Sequence, residues 1–278
     1  QDLKALWVGS ESHPYAIKPT STIVAEMLGA LPETQAADWE FSGKAGTEAL
    51  QACIGLVGSG MAEYAMCIGM DAAQGRPGDA LEYTASAGGA AVIVGPAHES
   101  VAIIEGSLSY VTNSMDVWRR PGTRYYSNTL RSTGVDAYYD HVKTTAIAFL
   151  DEIGRTAADY RHVVLHQPDG KLPRRVADAL GITWEQLAAG FFVEDIGSTH
   201  AGSVLLGLSG VLDAAQPGDR ILLVSYGSGA GSDAFSLVVT EHVSERRLVA
   251  PVTRDYILRR KAIDYATYAR FQGNFRSN

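Results

Sequence analysis

The sequence has very little cysteine, which excludes one class of protein at once. Cys53 and Cys67 are the two cysteines among 278 residues, too few for a disulfide-rich secreted scaffold. Each lies in an apolar segment, where a free thiol behaves as a small buried hydrophobe. We therefore expect no disulfide and a reducing, cytoplasmic environment. No metal site is predicted.

Long apolar runs and an excess of positive charge are absent as well. No run reaches the roughly 18 apolar residues that cross a bilayer, and the opening QDLKALWVGSES carries no secretory signal. The net charge is −8 and the isoelectric point is near 5.4, which argues against sequence-independent binding of nucleic acid. We expect neither a membrane nor a nucleic acid as a partner.

The residues that are present suit a large core, with 46% hydrophobic and 19% charged side chains. Short runs rich in valine and isoleucine alternate with helix-like segments along the chain, which is typical of parallel or mixed sheets covered on both faces. This pattern predicts an α/β fold. The predicted strands are 4–11, 37–41, 63–71, 90–95, 101–111, 160–167 and 220–227, and the predicted helices are 20–31, 47–62, 135–153, 172–180 and 202–215.

Two segments do not follow this alternation. Residues 112–134 combine tryptophan, arginines and tyrosines without a clear period, and such a long irregular segment either caps a site or packs its own aromatic side chains in solvent. Residues 254–271 carry three tyrosines among basic residues, which predicts an amphipathic helix on the surface or against a partner.

The stretch EFSGKAGTEALQACIGLVGSG has the form of a nucleophile elbow. A short strand breaks at small residues, and an amphipathic helix follows from about Thr47. A reactive side chain at such a turn would sit at a helix N-terminus, where free N–H groups lower the pKa of a thiol. This chain has Gly43 there, so the elbow carries no nucleophile.

Six stretches resemble the hydroxymethylglutaryl-CoA synthase family of the thiolase superfamily, in its archaeal-type form. They are GSESHPYAIKPTSTIVAEMLGA, EFSGKAGTEALQ, MDAAQGRPGDALEYTASAGGAA, LHQPDGK, IGSTHAGSVLLGL and SYGSGAGSDAFS. The resemblance implies a five-layer αβαβα thiolase fold from two related halves, 1–134 (incomplete, with the capping segment 112–134) and 135–278. It also implies dimers and coenzyme A thioesters as substrates, with no permanently bound cofactor.

The resemblance further implies roles for single residues. Glu11 matches the glutamate that exchanges protons with the acetyl methyl group, and apolar neighbours are expected to raise its pKa. His166 matches the histidine that polarises the acyl-CoA carbonyl, and Lys171 matches a basic residue near the coenzyme A phosphates. The glycine-rich stretch 225–236 matches a turn that shapes the floor of the site. Its candidate binding residues are Gly227, Ser228 and Gly229.

This sequence departs from the family pattern at two of its motifs. Gly43 stands where the family has its cysteine nucleophile, and Ser198 stands where an asparagine helps to hold the thioester oxygen. Cys53 cannot replace the nucleophile, because it lies ten residues further along, nearly three turns inside the predicted helix. Chemistry through an acyl-cysteine intermediate is therefore not expected.

Two functions remain open at this point. The first is an acyl-CoA condensing or acyltransferase protein. The second is a non-catalytic synthase-like subunit that pairs with a cysteine-bearing thiolase and a zinc-ribbon/OB-fold protein; decarboxylation through His166 is a weaker third. The family has a further β-α segment before the first strand of this sequence, so we expect an unpaired sheet edge and a chain that forms a homodimer or binds such partner chains.

Overall fold

The computed structural model describes residues 2–72, 75–114, 116–128 and 134–273. Its strands are β1 (Leu3–Gly9), β2 (Gln35–Trp39), β3 (Tyr64–Asp71), β4 (Gly88–Val94), β5 (Ala102–Val111), β6 (Val117–Trp118), β7 (Ser127–Asn128), β8 (His162–Leu165), β9 (Arg220–Val224) and β10 (Gly231–Val239). Its α-helices are α1 (Thr20–Met27), α2 (Ala45–Gly58), α3 (Ala80–Thr84), α4 (Gly134–Glu152), α5 (Leu172–Leu180), α6 (Trp184–Leu187), α7 (Val193–Ile196), α8 (Ser203–Ala214), α9 (His242–Arg246), α10 (Thr253–Leu258) and α11 (Tyr265–Phe271). None of the described helices is long and apolar enough to cross a membrane.

The strands form two mixed sheets and a short ribbon. The first sheet has the order β2-β1-β3-β4, with β1 parallel to β2 and β3, and β4 antiparallel to β3. The second has the order β5-β10-β9-β8, in which β8 is parallel to β9 and the other neighbours are antiparallel. The strands β6 and β7 pair antiparallel. Within the described residues β2 and β4 are the edges of the first sheet.

Alternate side chains of each sheet pack against different helical layers, as the two-residue period of a strand requires. In β1, Leu6 and Val8 pack with Ala25 of α1. Ala5 and Trp7 point the other way, into a cluster shared with α2, α8 and the second sheet.

The second sheet alternates in the same manner. In β8, Val164 belongs to the cluster shared with α2 and α8, whereas Val163 and Leu165 pack with Tyr138 and Phe149 of α4 and with residues of α5. The layers therefore run α1, first sheet, α2 with α8, second sheet, α4 with α5. This confirms the predicted five-layer α/β fold. Cys53 and Cys67 are buried and free, as expected.

Three predictions about organisation need correction. Half of the stretch 225–236, expected to be a glycine-rich turn, belongs to β10, which is paired on both sides. The predicted helix 254–271 is two helices, α10 and α11, because Asp264 caps a new helix by accepting a hydrogen bond from the Thr267 N–H at 2.8 Å. The division at residue 134 does not coincide with the division between the sheets, since β5 belongs to the second one.

The segment 112–134 is described in part. Residues 115 and 129–133 lie outside the described residues, and the described part contains the ribbon of β6 and β7. Tyr126 and Val117 from this segment line a cavity at which several strands end.

Candidate active site

Strands from both sheets end at one cavity of about 120 Å³. Glu11 follows β1, Gly43 follows β2, His166 follows β8, and Tyr226 follows β9. The carboxyl ends of neighbouring parallel strands lie at the same sheet edge, which is why residues distant in sequence meet here. The cavity is also lined by Ser198, His200, Ser228, Asp116 and Tyr126.

The elbow after β2 is a tight turn that leads directly into α2. Ser42 has a φ of 45°, a left-handed conformation that is uncommon for a residue with a side chain and recurs at functional turns. A 3₁₀ turn over Ser42–Lys44 then joins α2 at Ala45, two residues before the predicted start. Gly43 thus lies two residues before the first residue of α2, close to the helix N-terminus, as the elbow pattern predicts.

Gly43 has no space for a side chain. A Cβ atom there would lie 2.5 Å from Cε1 and 2.9 Å from Nε2 of His166, and 2.6 Å from the carbonyl oxygen of Tyr226. These separations are shorter than van der Waals contact. The imidazole of His166 therefore occupies the space into which a reactive side chain at the elbow would project.

Glu11 is an ionised carboxylate with three hydrogen-bonding partners. Oε2 accepts from the Ser42 hydroxyl at 2.8 Å. Oε1 accepts from the Tyr126 hydroxyl at 2.8 Å and lies 3.0 Å from Nδ1 of His200. Burial alone would raise the pKa of Glu11, but the charge of His200 and these hydrogen bonds lower it to about 2. The expectation of a raised pKa for Glu11 was therefore wrong.

His166 is the opposite case, a buried imidazole that stays neutral. Burial lowers the pKa of His166, and the charge of His200 lowers it further against the opposing effect of Glu11, to about 3. Its backbone is held by the Tyr138 hydroxyl, which donates to the His166 carbonyl at 2.6 Å. Its Nδ1 is buried and has no hydrogen-bond partner among the described residues. A neutral imidazole can donate from one nitrogen and accept at the other.

His200 was not among the predicted site residues; it lies in the 3₁₀ turn His200–Gly202 before α8. Burial would lower the pKa of His200, but the charge and hydrogen bond of Glu11, together with the charge of Asp71, raise it above its ordinary value. The pairing with Glu11 therefore favours the protonated, positively charged form of His200, beside neutral His166. The one signal in the sequence was its place in IGSTHAGS, the motif of Ser198.

Asp71, at the end of β3, joins the loop of Glu11 to the turn of His200. Its Oδ1 accepts hydrogen bonds from the Glu11 N–H at 2.8 Å and from the hydroxyls of Ser10 and Ser12 at 2.7 and 2.6 Å. Its Oδ2 accepts from the Ala201 N–H at 2.8 Å. Burial, followed by the charge of Glu11, raises the pKa of Asp71. One buried carboxylate thus positions both members of the Glu11–His200 pair.

A second buried charged residue, Lys44, holds the elbow against the second sheet. Nζ of Lys44 is fully buried, lies 3.0 Å from Oδ1 of Asp233 in β10, and also pairs with Glu48. The Thr47 hydroxyl donates to the other oxygen of Asp233 at 2.6 Å. This network ties the start of α2 to the second sheet.

The remaining predicted residues take different places. Ser198 and Ser228 line the cavity. Gly227 packs against the elbow, where a Cβ atom would lie 2.3 Å from the Phe41 carbonyl oxygen. The Gly229 N–H donates to Asp116 at 2.9 Å. Lys171 is exposed and is not among the described residues that line the cavity.

Comparisons with known proteins agree with this architecture. Residues 150–239 match the family of 3-oxoacyl-[acyl-carrier-protein] synthase III C-terminal domains. The hydroxymethylglutaryl-CoA synthase of Pyrococcus horikoshii is 56% identical over 271 residues, 97% of this chain and 77% of that protein. The synthase of Methanosarcina acetivorans is 50% identical over 273 residues, 98% of this chain and 78% of that protein.

Solved structures show the same fold at lower sequence identity. An HMG-CoA synthase complexed with CoA superposes with a TM-score of 0.85 at 22% identity, covering 97% of this chain and 72% of that one. The HMG synthase of the curacin biosynthetic pathway, in complex with an acetyl donor acyl-carrier protein, gives 0.83 at 20%, covering 97% and 71%.

Two mixed sheets around a shared helical layer, with a site where their strands end, define a thiolase-like α/β protein. The chain also has high sequence identity to its curated relatives over nearly its whole length, and this identity assigns it to one family within that class. The chain belongs to the hydroxymethylglutaryl-CoA synthase family.

Proposed function

We propose that this chain is a hydroxymethylglutaryl-CoA synthase-like condensing protein that binds acyl-CoA thioesters and works without an acyl-cysteine intermediate. The observation that carries the proposal is the contact between Gly43 and His166. At the elbow, where the family resemblance places a cysteine, the space for a nucleophile is taken by a neutral imidazole. The relatives support a condensing function, and CoA-bound neighbours support CoA thioesters as substrates.

The residues of the cavity suit non-covalent handling of a thioester. Neutral His166 can donate a hydrogen bond to the thioester carbonyl oxygen and so polarise it. Ser198, in the place of the family's asparagine, offers a shorter donor on the same cavity. We assign Lys171 and the turn with Gly227, Ser228 and Gly229 to the coenzyme A arm. Lys171 is exposed beside Leu172, which lines the cavity, and a solvent-facing cation suits phosphate groups.

The test is intact-mass spectrometry after incubation with acetyl-CoA, combined with calorimetric measurement of binding. We expect binding with no change in protein mass, because Gly43 offers no nucleophile and Cys53 is buried in α2. A stable acetyl adduct on any side chain would contradict the proposal, as would the absence of binding. Coenzyme A without an acyl group is the matched control ligand.

The steric closure of the elbow also favours a second candidate, the non-catalytic subunit of a thiolase and zinc-ribbon/OB-fold acyltransferase complex. In such a complex the partner thiolase would supply the cysteine, and this chain would need no space at position 43. Light scattering of the chain alone and after co-expression distinguishes the two. A stable homodimer that binds acetyl-CoA supports the synthase-like protein. A requirement for co-expressed thiolase and zinc-ribbon chains supports the subunit.

A further inference from the structure

Glu11 and His200 form a pair in which the histidine keeps an unused polar atom. Nδ1 of His200 lies 3.0 Å from Oε1 of Glu11. The other ring nitrogen, Nε2, is buried and has no hydrogen-bond partner among the described residues, while the His200 side chain lines the same cavity as His166. A buried polar group without a hydrogen-bond partner costs free energy unless a bound ligand supplies the missing hydrogen bond.

Glu11, by contrast, has its hydrogen-bonding capacity largely used. Its two oxygens accept hydrogen bonds from Ser42 and Tyr126 and form an ion pair with His200. The geometry of Glu11 is that of a residue that orients a neighbour.

We propose that His200 contacts the substrate, donating its Nε2–H to the carbonyl oxygen of a bound acyl-CoA thioester, and that Glu11 holds the His200 ring in the orientation for this contact. The proposal rests on the proposed function, because it requires that the cavity takes a thioester. It adds a catalytic residue that the family resemblance did not assign.

The charges around the cavity favour this role. An imidazolium donates from both nitrogens, so Glu11 takes one N–H and the other is left for a ligand. The low pKa of His166 keeps its ring neutral, whereas the pairing with Glu11 favours the positively charged form of His200. A fixed positive donor stabilises the negative charge that develops on a thioester oxygen when the carbonyl is polarised.

Infrared difference spectroscopy with [1-¹³C]acetyl-CoA tests the contact without requiring turnover. We expect the carbonyl stretch to move to lower frequency on binding to the wild-type protein. His200→Gln, which keeps a neutral donor, should reduce that shift, and His200→Phe should reduce it further, to the part that His166 and Ser198 produce. Affinity should fall about tenfold or more, as for the loss of a hydrogen bond to a charged group.

The chain contains a matched control in His13. Its Nδ1 lies 3.1 Å from Oδ2 of Asp38, and its Nε2 is also buried without a described partner, but it is not among the described residues that line the cavity. His13→Gln should therefore leave the carbonyl shift unchanged. Equal effects of His13→Gln and His200→Gln would overturn the proposal, because both would then report general loss of structure.

Glu11→Gln separates positioning from direct contact. The groups facing His200 are Glu11, Asp71, Tyr126 and His166. Removing the charge of Glu11 should lower the pKa of His200, so the part of the carbonyl shift that protonated His200 causes should persist at acidic pH and be lost at a lower pH than in the wild-type protein. Loss of this part of the shift at every pH would contradict the expectation that Glu11 acts on the contact through the charge of His200.

The failures of the two proposals are distinguishable. If the wild-type protein does not bind acetyl-CoA, the proposed function is wrong and the role of His200 falls with it. If the wild-type protein binds acetyl-CoA with a shifted carbonyl, and His200→Gln and His200→Phe both keep that shift, only the role of His200 is wrong. Thermal unfolding of each variant shows whether it is folded; if His200→Phe does not fold, the result for folded His200→Gln decides.

Discussion

The imidazole of His166 and the α-carbon of Gly43 are packed so closely that a Cβ atom on residue 43 would lie 2.5 Å from Cε1 of the ring. The carbonyl oxygen of Tyr226 closes the same space from the side of β9, at 2.6 Å. Because one of these neighbours is backbone, rotation of the imidazole alone cannot make room. The atoms around the elbow therefore leave room only for glycine at position 43.

Gly43→Ala should destabilise the protein, because the added methyl must displace both His166 and the Tyr226 carbonyl. Overpacking of this kind costs roughly 1–3 kcal/mol. Gly55→Ala is the matched control, since a Cβ atom on this exposed glycine would meet nothing within 4 Å apart from its chain neighbours and the backbone of its own helix. It should stabilise the helix by up to roughly 1 kcal/mol. Urea unfolding of both variants measures the difference, and equal stabilities would contradict the steric account.

The pKa values of the two cavity histidines should differ in opposite directions from that of an ordinary imidazole. The pKa of His166 is lowered to about 3 and that of His200 is raised. At pH 7 we expect ¹⁵N NMR to show a neutral ring for His166 and a charged ring for His200. In Glu11→Gln the His200 ring should lose its proton at a lower pH, because its counter-ion is gone. A neutral His200 at pH 7 in the wild-type protein would contradict the ion pair.

Asp71→Asn should impair the site although Asp71 does not belong to the described cavity lining. The amide offers one acceptor oxygen where the carboxylate offers two, so its NH₂ group must face either the Ala201 N–H or the donors around Glu11. We expect a stability loss of about 1–3 kcal/mol and weaker acetyl-CoA binding.

Asp38→Asn is the control for Asp71→Asn. Asp38 caps α1 by accepting from the N–H groups of Thr20 and Ser21 at 2.6 and 2.9 Å, away from the cavity. Its replacement should reduce stability and leave acetyl-CoA affinity unchanged. If Asp71→Asn also left the affinity unchanged, the link between Asp71 and the site would be wrong.

Much of the fold could be predicted from local sequence, because strands and helices alternate with clear periods. The strand β10 was missed since GSDAFS is rich in glycine and serine. These small residues are buried between β5 and β9, where the pairing of neighbouring strands, and not apolar periodicity, specifies the strand.

The candidate site could be predicted only as far as single motifs reach. Glu11, Gly43, His166 and Ser198 each stand in a recognisable motif, and the structure brings all four to one cavity. The low pKa of Glu11 could not be predicted, because it depends on His200, which lies 189 residues further along the chain. Residues that come into contact only because two sheets pack together cannot be recognised as neighbours from a local sequence pattern.

Removal of the buried charge beneath the elbow should be the most damaging of these changes. Lys44→Met leaves Asp233 buried without its cation, which costs about 3–5 kcal/mol when one partner of a buried pair is lost. Lys4→Met is the control, because Lys4 forms an exposed pair with Glu33 at 3.8 Å and its loss should change stability by no more than about 0.5 kcal/mol.

The double variant Lys44→Met/Asp233→Asn decides whether the charge or the packing of Lys44 matters. Asp233 also accepts hydrogen bonds from Thr47 and Ser109, and an asparagine can keep one of them without a buried charge. The two substitutions should therefore cost less together than the sum of their separate costs, by roughly 1–3 kcal/mol, as for residues in direct contact. Denaturant unfolding of the four proteins gives this coupling directly. Strict additivity would show that Lys44 supports the elbow through its packed alkyl chain and its contact with Glu48, and that its pairing with Asp233 contributes little.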